Sequence, residues 1–141
     1  MSIGEQKFAD LKEGDEVPTF ELPLTTTRII AGAIASRDFM PVHHDKDYAN
    51  SQGAPHMFVN ILTTNGLVAR YITDWAGPEA MVRSIKIRLG APAIPGHVLK
   101  FTGKINSTRT EGSEGIAEVA LEASTEMGPH ATGTVEVSWP A

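Results

Sequence analysis

The sequence predicts an α+β fold in which a curved antiparallel sheet wraps around one long central helix. Apolar residues first recur with helical spacing across the middle of the chain. They then alternate with polar residues in four successive segments of the C-terminal half. A helix that is apolar on most of its circumference must be covered, and a sheet with one apolar face must cover something. We therefore expect the helix and the sheet to bury each other.

Length and composition limit the possible functions. The chain has 141 residues and a net charge of -5, so we expect one domain over residues 1–141, and a site with two walls could require a second subunit. The acidic balance argues against a nucleic-acid partner. The absence of cysteine excludes thiolate catalysis and cysteine-bound metals. Because no signal peptide pattern and no apolar run of about 20 residues occurs, we expect a cytoplasmic protein without a membrane partner.

The N-terminal part is predicted to form a strand followed by a short amphipathic helix. The strand covers residues 16–24, where two prolines suit an edge position. The helix covers residues 28–37 and follows three threonines that offer N-cap hydroxyls. Pro41 disfavours the helical conformation in the residue before it, so this helix should end near Asp38.

The longest helix is predicted to run from His56 or Met57 to Trp75. At about 1.5 Å per residue it would be close to 30 Å long. Gly66 weakens it by about 1 kcal/mol relative to alanine. The apolar residues that recur with helical spacing are Phe58, Ile61, Leu62, Val68 and Ile72.

Four strands are predicted after this helix, because the period of the pattern changes from about 3.6 to 2 residues. They cover residues 84–89, 99–106, 117–123 and 132–139, with glycine and proline in most of the connections. We expect four successive antiparallel strands joined by short turns. A strand, a helix, a loop, a long helix and four strands follow one another as in the hotdog fold.

The loop between the two helices carries the residues most suited to chemistry. Residues 38–45 read Asp-Phe-Met-Pro-Val-His-His-Asp, which places two carboxylates and two imidazoles in eight positions. Such groups can activate a water molecule, although solvated loop residues would give the same pattern. Asp45 is placed to cap a short helix that begins at Lys46. The histidines of this loop and His56 lack the spacing of a helical metal motif, so we expect no metal.

This loop resembles the motif of the MaoC-like (R)-specific enoyl-CoA hydratases. That motif runs Ser-Gly-Asp-x-Asn-Pro-aliphatic-His-x-Asp and is followed by an aromatic-Ala helix. Residues 36–45 keep the Asp-to-His spacing, the proline and the second Asp, and Tyr-Ala follows at residues 48–49. Residues 87–96 resemble the strand and aliphatic-Pro-Gly turn of the same family. With the Asn-Ile-Leu-Thr-Thr-Asn-Gly-Leu segment at residues 60–67, the chain is most similar to an actinobacterial subset: small subunits that pair with a larger MaoC-like partner to hydrate steroid side-chain enoyl-CoA.

The resemblance implies a single-hotdog enoyl-CoA hydratase, a lyase that adds water across the 2,3 double bond of a thioester. Asp38 and His43 would activate the water. A backbone amide of His56 or Met57, at the predicted start of the long helix, would bind the thioester oxygen. No cofactor is implied, since CoA is part of the substrate. The protein would form a homodimer or a heteromer with a second MaoC-like subunit.

Three basic residues are candidates for binding the CoA phosphates. Lys86, Arg88 and Lys104 could supply the local positive charge that an acidic chain otherwise lacks. The competing interpretation is that they form the solvated face of two strands.

The chain also departs from the family pattern. Arg37 stands where the motif has glycine, and Met40 stands where it has asparagine, so a polar group that would hold the loop or the water is absent. The family also opens its long helix with His-Gly-Met, and no glycine follows His56. These departures leave open a non-catalytic partner subunit of a heteromeric hydratase. A hotdog acyl-CoA thioesterase is a further alternative, although no Asp or Glu lies between Met57 and Tyr71, where such enzymes place a carboxylate.

Overall fold

The computed structural model describes residues 4–140, which form three α-helices and one five-stranded antiparallel sheet. The strand order is β1-β3-β4-β5-β2, so the predicted α+β hotdog architecture is confirmed. Single 3-10 turns lie at Phe8–Asp10 and Pro41–His43. In chain order the elements are β1 (Glu16–Pro23), α1 (Thr26–Ala35), α2 (Lys46–Ser51), α3 (Ile61–Ala76), β2 (Met81–Leu89), β3 (Val98–Glu111), β4 (Glu114–Thr125) and β5 (Gly128–Pro140).

The core lies between α3 and the inner face of the sheet. Tyr71 at the centre of α3 is fully buried, and its hydroxyl donates to the carbonyl oxygens of Val17 and Pro18 at a bulge in β1. Burial raises the pKa of Tyr71 well above its ordinary value. A Cβ on Gly103 would lie 3.3 Å from the Tyr71 ring, so a glycine there lets β3 approach the helix. No helix within residues 4–140 is both long enough and apolar enough to cross a membrane.

Helix α1 ends at Ala35, earlier than predicted. Arg37 adopts a left-handed conformation with φ of 57°, and its N–H donates to the carbonyl of Ile34. The N–H of Asp38 donates to the carbonyl of Ala33 at 2.9 Å, which completes a Schellman motif. This helix end is therefore closed by its own backbone rather than by Pro41. The position of Arg37 is the one at which helices favour glycine, and a non-glycine residue there costs about 1 kcal/mol.

Helix α3 begins at Ile61, so the prediction that it starts at His56 or Met57 is wrong. The preceding residues are extended, because the N–H of Phe58 donates to Val42 and the N–H of Val59 donates to Ala93. Apolar side chains of this extended segment happen to continue the helical stripe, which misled the sequence reading.

The order of the strands also differs from the expectation of four successive neighbours. Strands β3, β4 and β5 follow one another through short turns, but β2 pairs with β5 at an edge of the sheet. Residues 90–97 therefore cross from one side of the sheet to the other and contact the extended segment before α3. Alternation along a strand shows which face is buried, whereas the neighbouring strand is chosen by packing over the whole domain.

Candidate active site

The loop after α1 brings Asp38 and His43 together. His43 Nε2 lies 3.4 Å from Asp38 Oδ2, and the two side chains are 10% and 25% exposed. The Schellman motif fixes the backbone at Asp38, and the 3-10 turn that begins at Pro41 fixes the backbone at His43. The structure thus places in direct contact the two residues that the sequence selected as a catalytic pair.

The orientation of the His43 ring follows from its other nitrogen. His43 Nδ1 lies 2.8 Å from the carbonyl oxygen of Phe58, which can only accept, so Nδ1 donates. In the neutral ring, Nε2 is then an acceptor that faces a carboxylate oxygen, which is also an acceptor. Either a proton on Nε2 or a water molecule between the two groups can satisfy this contact, and a water can donate one hydrogen to each group. The Phe58 ring packs edge-on against the imidazole at 5.0 Å and limits its movement.

Asp38 is held by a residue that the sequence reading missed. The Nδ2 of Asn60 donates to Asp38 Oδ2 at 3.2 Å and to Ser36 Oγ at 2.8 Å. The backbone N–H of Met40 donates to the other carboxylate oxygen at 3.3 Å. Asn60 is the N-cap of α3, and an asparagine before a helical run is a recognisable cap signal. The predicted helix begins at His56 or Met57 and so includes Asn60, which hides its role as a cap.

The start of α3 lies beside this pair and changes the expected oxyanion contact. The N–H groups of Ile61 and Leu62 have no intrahelical acceptor, as at the start of any helix. His56 and Met57 are not at the helix end, and the N–H of Met57 instead donates to His56 Nδ1 at 2.8 Å. The first amide of the observed helix is that of Ile61, with Asn60 as the N-cap. Burial, with a contribution from the charge of Lys46, lowers the pKa of His56.

A largely apolar cavity of about 650 Å³ opens beside His43. Its walls come from residues 52–55, the segment around Phe58, residues 89–92 and the start of β5. The described residues that line it include no lysine or arginine. The cavity therefore suits a hydrocarbon group better than a phosphate.

A second histidine faces the same cavity and was not anticipated from the sequence. His130 is 4% exposed; its Nδ1 lies 2.8 Å from the carbonyl of Ala91, and its Nε2 lies 2.9 Å from Thr64 Oγ1. Burial lowers the pKa of His130, and the bond to Ala91 only partly opposes this. The carbonyl of Ala91 can only accept, so Nδ1 donates to it, and in the neutral ring Nε2 accepts from Thr64 Oγ1. A lone histidine beside a turn gave no sequence signal for this role.

The three candidate CoA-binding residues are not gathered at one place. All three are exposed, but Lys86 and Arg88 lie on edge strand β2, and Lys104 lies on β3. Lys86 and Lys104 are in one row across the sheet, with β4 and β5 between them. At about 4.8 Å per strand spacing, they are about 14 Å apart. Of the three, only Lys86 and Arg88 lie on the strand that ends at the cavity, because β2 continues into the wall formed by residues 89–92.

The remaining polar residues of the loop have simpler surroundings. Asp45 Oδ1 accepts from the N–H of Tyr48 at 3.0 Å, which confirms the predicted cap of α2. His44 is exposed. Within residues 4–140, no group of three His, Asp or Glu side chains is arranged to hold a metal ion.

Comparison with known proteins agrees with this geometry. The model of the MaoC like domain family matches residues 10–127. The 3-oxo-4,17-pregnadiene-20-carboxyl-CoA hydratase beta subunit of Mycobacterium tuberculosis is 42% identical over 125 residues, which cover 89% of this chain and 94% of that protein.

Two solved structures place the fold in the same group. A chain in the crystal structure of the ChsH1-ChsH2 complex from Mycobacterium tuberculosis is 41% identical, with a TM-score of 0.84 over 91% of this chain and 98% of that one. The R-hydratase PhaJ1 from Pseudomonas aeruginosa has a TM-score of 0.82 at 20% identity, covering 99% of this chain and 86% of that one, and supports the fold alone. The chain described here belongs to the MaoC-like domain family.

Proposed function

We propose that this protein is the small, catalytic subunit of a heteromeric enoyl-CoA hydratase that acts on CoA esters with a bulky, steroid-type acyl group. The observation that carries the proposal is the contact between Asp38 Oδ2 and His43 Nε2, which face each other at 3.4 Å beside the start of α3. The 42% identity to a pregnadiene-carboxyl-CoA hydratase beta subunit supports both the reaction and the substrate class.

In the proposed reaction Asp38, His43 and the N–H of Ile61 each have a separate role. A water shared by the pair loses one proton to the Asp38 carboxylate, while His43 Nε2 accepts a hydrogen bond from its other hydrogen. The water oxygen bonds to the β-carbon, and the electrons of the double bond move to the thioester oxygen. The N–H of Ile61, at the positive end of α3, stabilises that oxygen. The proton held by the pair then passes to the α-carbon, so one water is consumed and no cofactor is needed.

The cavity indicates where the acyl group would lie. Its apolar walls and its volume of about 650 Å³ suit a hydrocarbon skeleton next to His43. The CoA phosphates would lie outside, with Lys86 and Arg88 on the edge strand as the nearest candidates and Lys104 too distant to join them. We expect the enzyme to act in the cytoplasm, where CoA esters are available.

A second MaoC-like subunit is favoured by the surface around Asp38. Helix α1, the catalytic loop and the first turn of α3 meet there and carry large apolar side chains that are 47% to 65% exposed. Large apolar side chains exposed on neighbouring elements favour a binding site for a protein or ligand. The residues concerned are Ile34, Phe39, Met40, Ile61 and Leu62.

The proposal is tested by measuring loss of enoyl-CoA absorbance with the purified protein alone and with a MaoC-like partner. A steroid-type enoyl-CoA is compared with a short-chain one. We expect turnover of the steroid-type ester by the complex, and its loss on Asp38→Asn or His43→Ala but not on His44→Ala. Unchanged turnover in the first two variants would overturn the assignment.

The same measurement separates the alternatives. A complex that remains active with Asp38→Asn in this chain would make the subunit a non-catalytic partner. Release of a free CoA thiol, detected with a thiol reagent, would instead indicate a thioesterase.

A further inference from the structure

The motif that this loop resembles has an asparagine at the position of Met40. The Met40 side chain is 47% exposed and has no amide, so it cannot reproduce the hydrogen bonds of an asparagine. Only its backbone N–H reaches Asp38, at Oδ1. Met40 therefore gives Asp38 Oδ2 no side-chain donor.

Asn60 supplies such a donor from a different element. It is fully buried, and its Nδ2 lies 3.2 Å from Asp38 Oδ2, the same oxygen that faces His43. The orientation of its amide is fixed, because Oδ1 accepts from the N–H of Thr63 at 3.4 Å. Nδ2 must therefore face the carboxylate.

A further contact joins Asn60 to the end of α1. Ser36 Oγ donates to the carbonyl of Gly32 at 2.7 Å and accepts from Asn60 Nδ2 at 2.8 Å. The residue thus links the last turn of α1, the carboxylate and the first turn of α3. A displacement of any one of these three would therefore change the hydrogen bonds of the other two.

We propose that Asn60 is a positioning residue for Asp38, which supplies from the start of α3 the side-chain amide that Met40 does not supply from the loop. Its amide holds Asp38 Oδ2 opposite His43 Nε2, and in the same conformation its Oδ1 caps the helix whose first amide faces the thioester oxygen. This inference rests on the proposed hydratase function. It implies that the loss of the motif asparagine has not made this subunit inactive.

Two substitutions separate positioning from helix capping. Asp and Ser both cap a helix about as well as Asn. Asn60→Asp keeps the size of the side chain but replaces the donor with an oxygen that repels Asp38, and we expect kcat to fall by about 10²-fold. Asn60→Ser removes the reach to Asp38, and we expect a loss of about 10-fold. KM should change less than kcat in both, since the amide contacts the catalytic group and not the substrate.

The matched control is Asn65→Asp, one turn further along the same helix. Asn65 donates only to the carbonyl of Ile61, and we expect its substitution to leave kcat unchanged. Rescue is tested by adding Met40→Asn to Asn60→Ser, which returns an asparagine to the motif position. We expect this double variant to regain most of the lost kcat.

A measurement that does not need turnover distinguishes the two proposals. In protein labelled with ¹⁵N-histidine, the Nε2 signal of His43 should shift in Asn60→Asp and stay in place in Asn65→Asp. An inactive wild-type complex would defeat the hydratase proposal while leaving this shift to be seen. An active complex whose kcat and His43 signal are indifferent to Asn60→Asp would overturn the positioning role alone. Loss of kcat accompanied by an equal loss of thermal stability in both variants, without rescue, would also overturn it.

Discussion

Two histidines, His43 and His130, face the same cavity and resemble each other closely. Each is almost buried, and each has its Nδ1 2.8 Å from a backbone carbonyl, that of Phe58 for His43 and that of Ala91 for His130. They differ in what lies opposite Nε2. His43 faces the carboxylate of Asp38, whereas His130 faces the hydroxyl of Thr64.

The difference assigns the two rings to different tasks. The Thr64 hydroxyl can donate, so it can satisfy Nε2 of a neutral His130 at 2.9 Å, and the ring then connects residue 91 to α3. The Asp38 carboxylate cannot donate when ionised, so in the proposed mechanism Nε2 of a neutral His43 accepts from a water. We infer that the hydrogen-bonding capacity of the neighbour, and not the residue type or the burial, separates the imidazole proposed to handle protons from the one proposed to be structural.

The largest effect is expected at the group that makes His43 different from His130. Asp38→Asn leaves an amide that cannot take a proton from water, and we expect kcat/KM for hydration to fall by about 10³-fold. Enoyl-CoA absorbance measures the loss. Asp45→Asn is the matched control, because asparagine preserves the cap of α2. An Asp38→Asn enzyme with wild-type activity would remove the distinction between the two rings.

We expect replacement of His43 to lower activity more than stability, and replacement of His130 to lower stability more than activity. We expect His43→Gln to lower kcat by about 10²-fold with little loss of stability, because glutamine can still donate to the carbonyl of Phe58. His44→Gln serves as the control for the loop. Steady-state kinetics and thermal unfolding of the same samples provide the comparison.

For His130 the expected loss is in stability. His130→Ala leaves the carbonyl of Ala91 without its side-chain donor and leaves the hydroxyl of Thr64 with only its bond to the carbonyl of Asn60, which should lower the free energy of unfolding by about 2 kcal/mol. Thr64→Val removes one of the two bonds, and we expect about 1 kcal/mol. Urea unfolding measures both. A His130→Ala protein of wild-type stability would contradict the structural role.

The pH dependence of stability follows from the lowered pKa of His130. Because burial places its pKa in the fold below the ordinary value of 6.5, the unfolded chain binds a proton more readily than the folded one. The contribution of His130 is therefore complete above that value and is lost as the pH falls toward the folded-state pKa. We expect the Tm of the wild type to decrease more steeply than that of His130→Gln below about pH 6.5. Parallel curves would show that His130 titrates equally in both states.

The smallest effect concerns the backbone that delivers Asp38 to His43. Arg37 is left-handed, with φ of 57°, at the position where the resembled motif has glycine. We expect Arg37→Gly to raise the free energy of unfolding by about 1 kcal/mol and to leave hydration within about twofold, since the Schellman motif is kept. Reduced stability would mean that the Arg37 side chain contributes more than its backbone conformation costs.

Most of the secondary structure and the contact at the candidate site could be predicted from the sequence. The type of nearly every element follows from periodicity, and the Asp38–His43 contact spans five residues around a proline turn. The start of α3 was misplaced, because apolar residues of an extended segment continued the helical spacing. The oxyanion candidate moved with it, from His56 or Met57 to Ile61. Whether Lys86, Arg88 or Lys104 binds CoA stays a prediction.

By itself the sequence determined the helices, the strands and the pair of residues that a short loop holds together, because these depend on neighbours in the chain. The tertiary structure decided that β2 pairs with β5, that Asn60 reaches Asp38 across 22 residues, and that Thr64 meets His130 across 66. These contacts arise only when α3 is buried against the sheet. The contact of His130 Nε2 was therefore decided by packing, because Thr64 lies far from it in the chain, whereas Asp38, which faces His43 Nε2, lies in the same short loop.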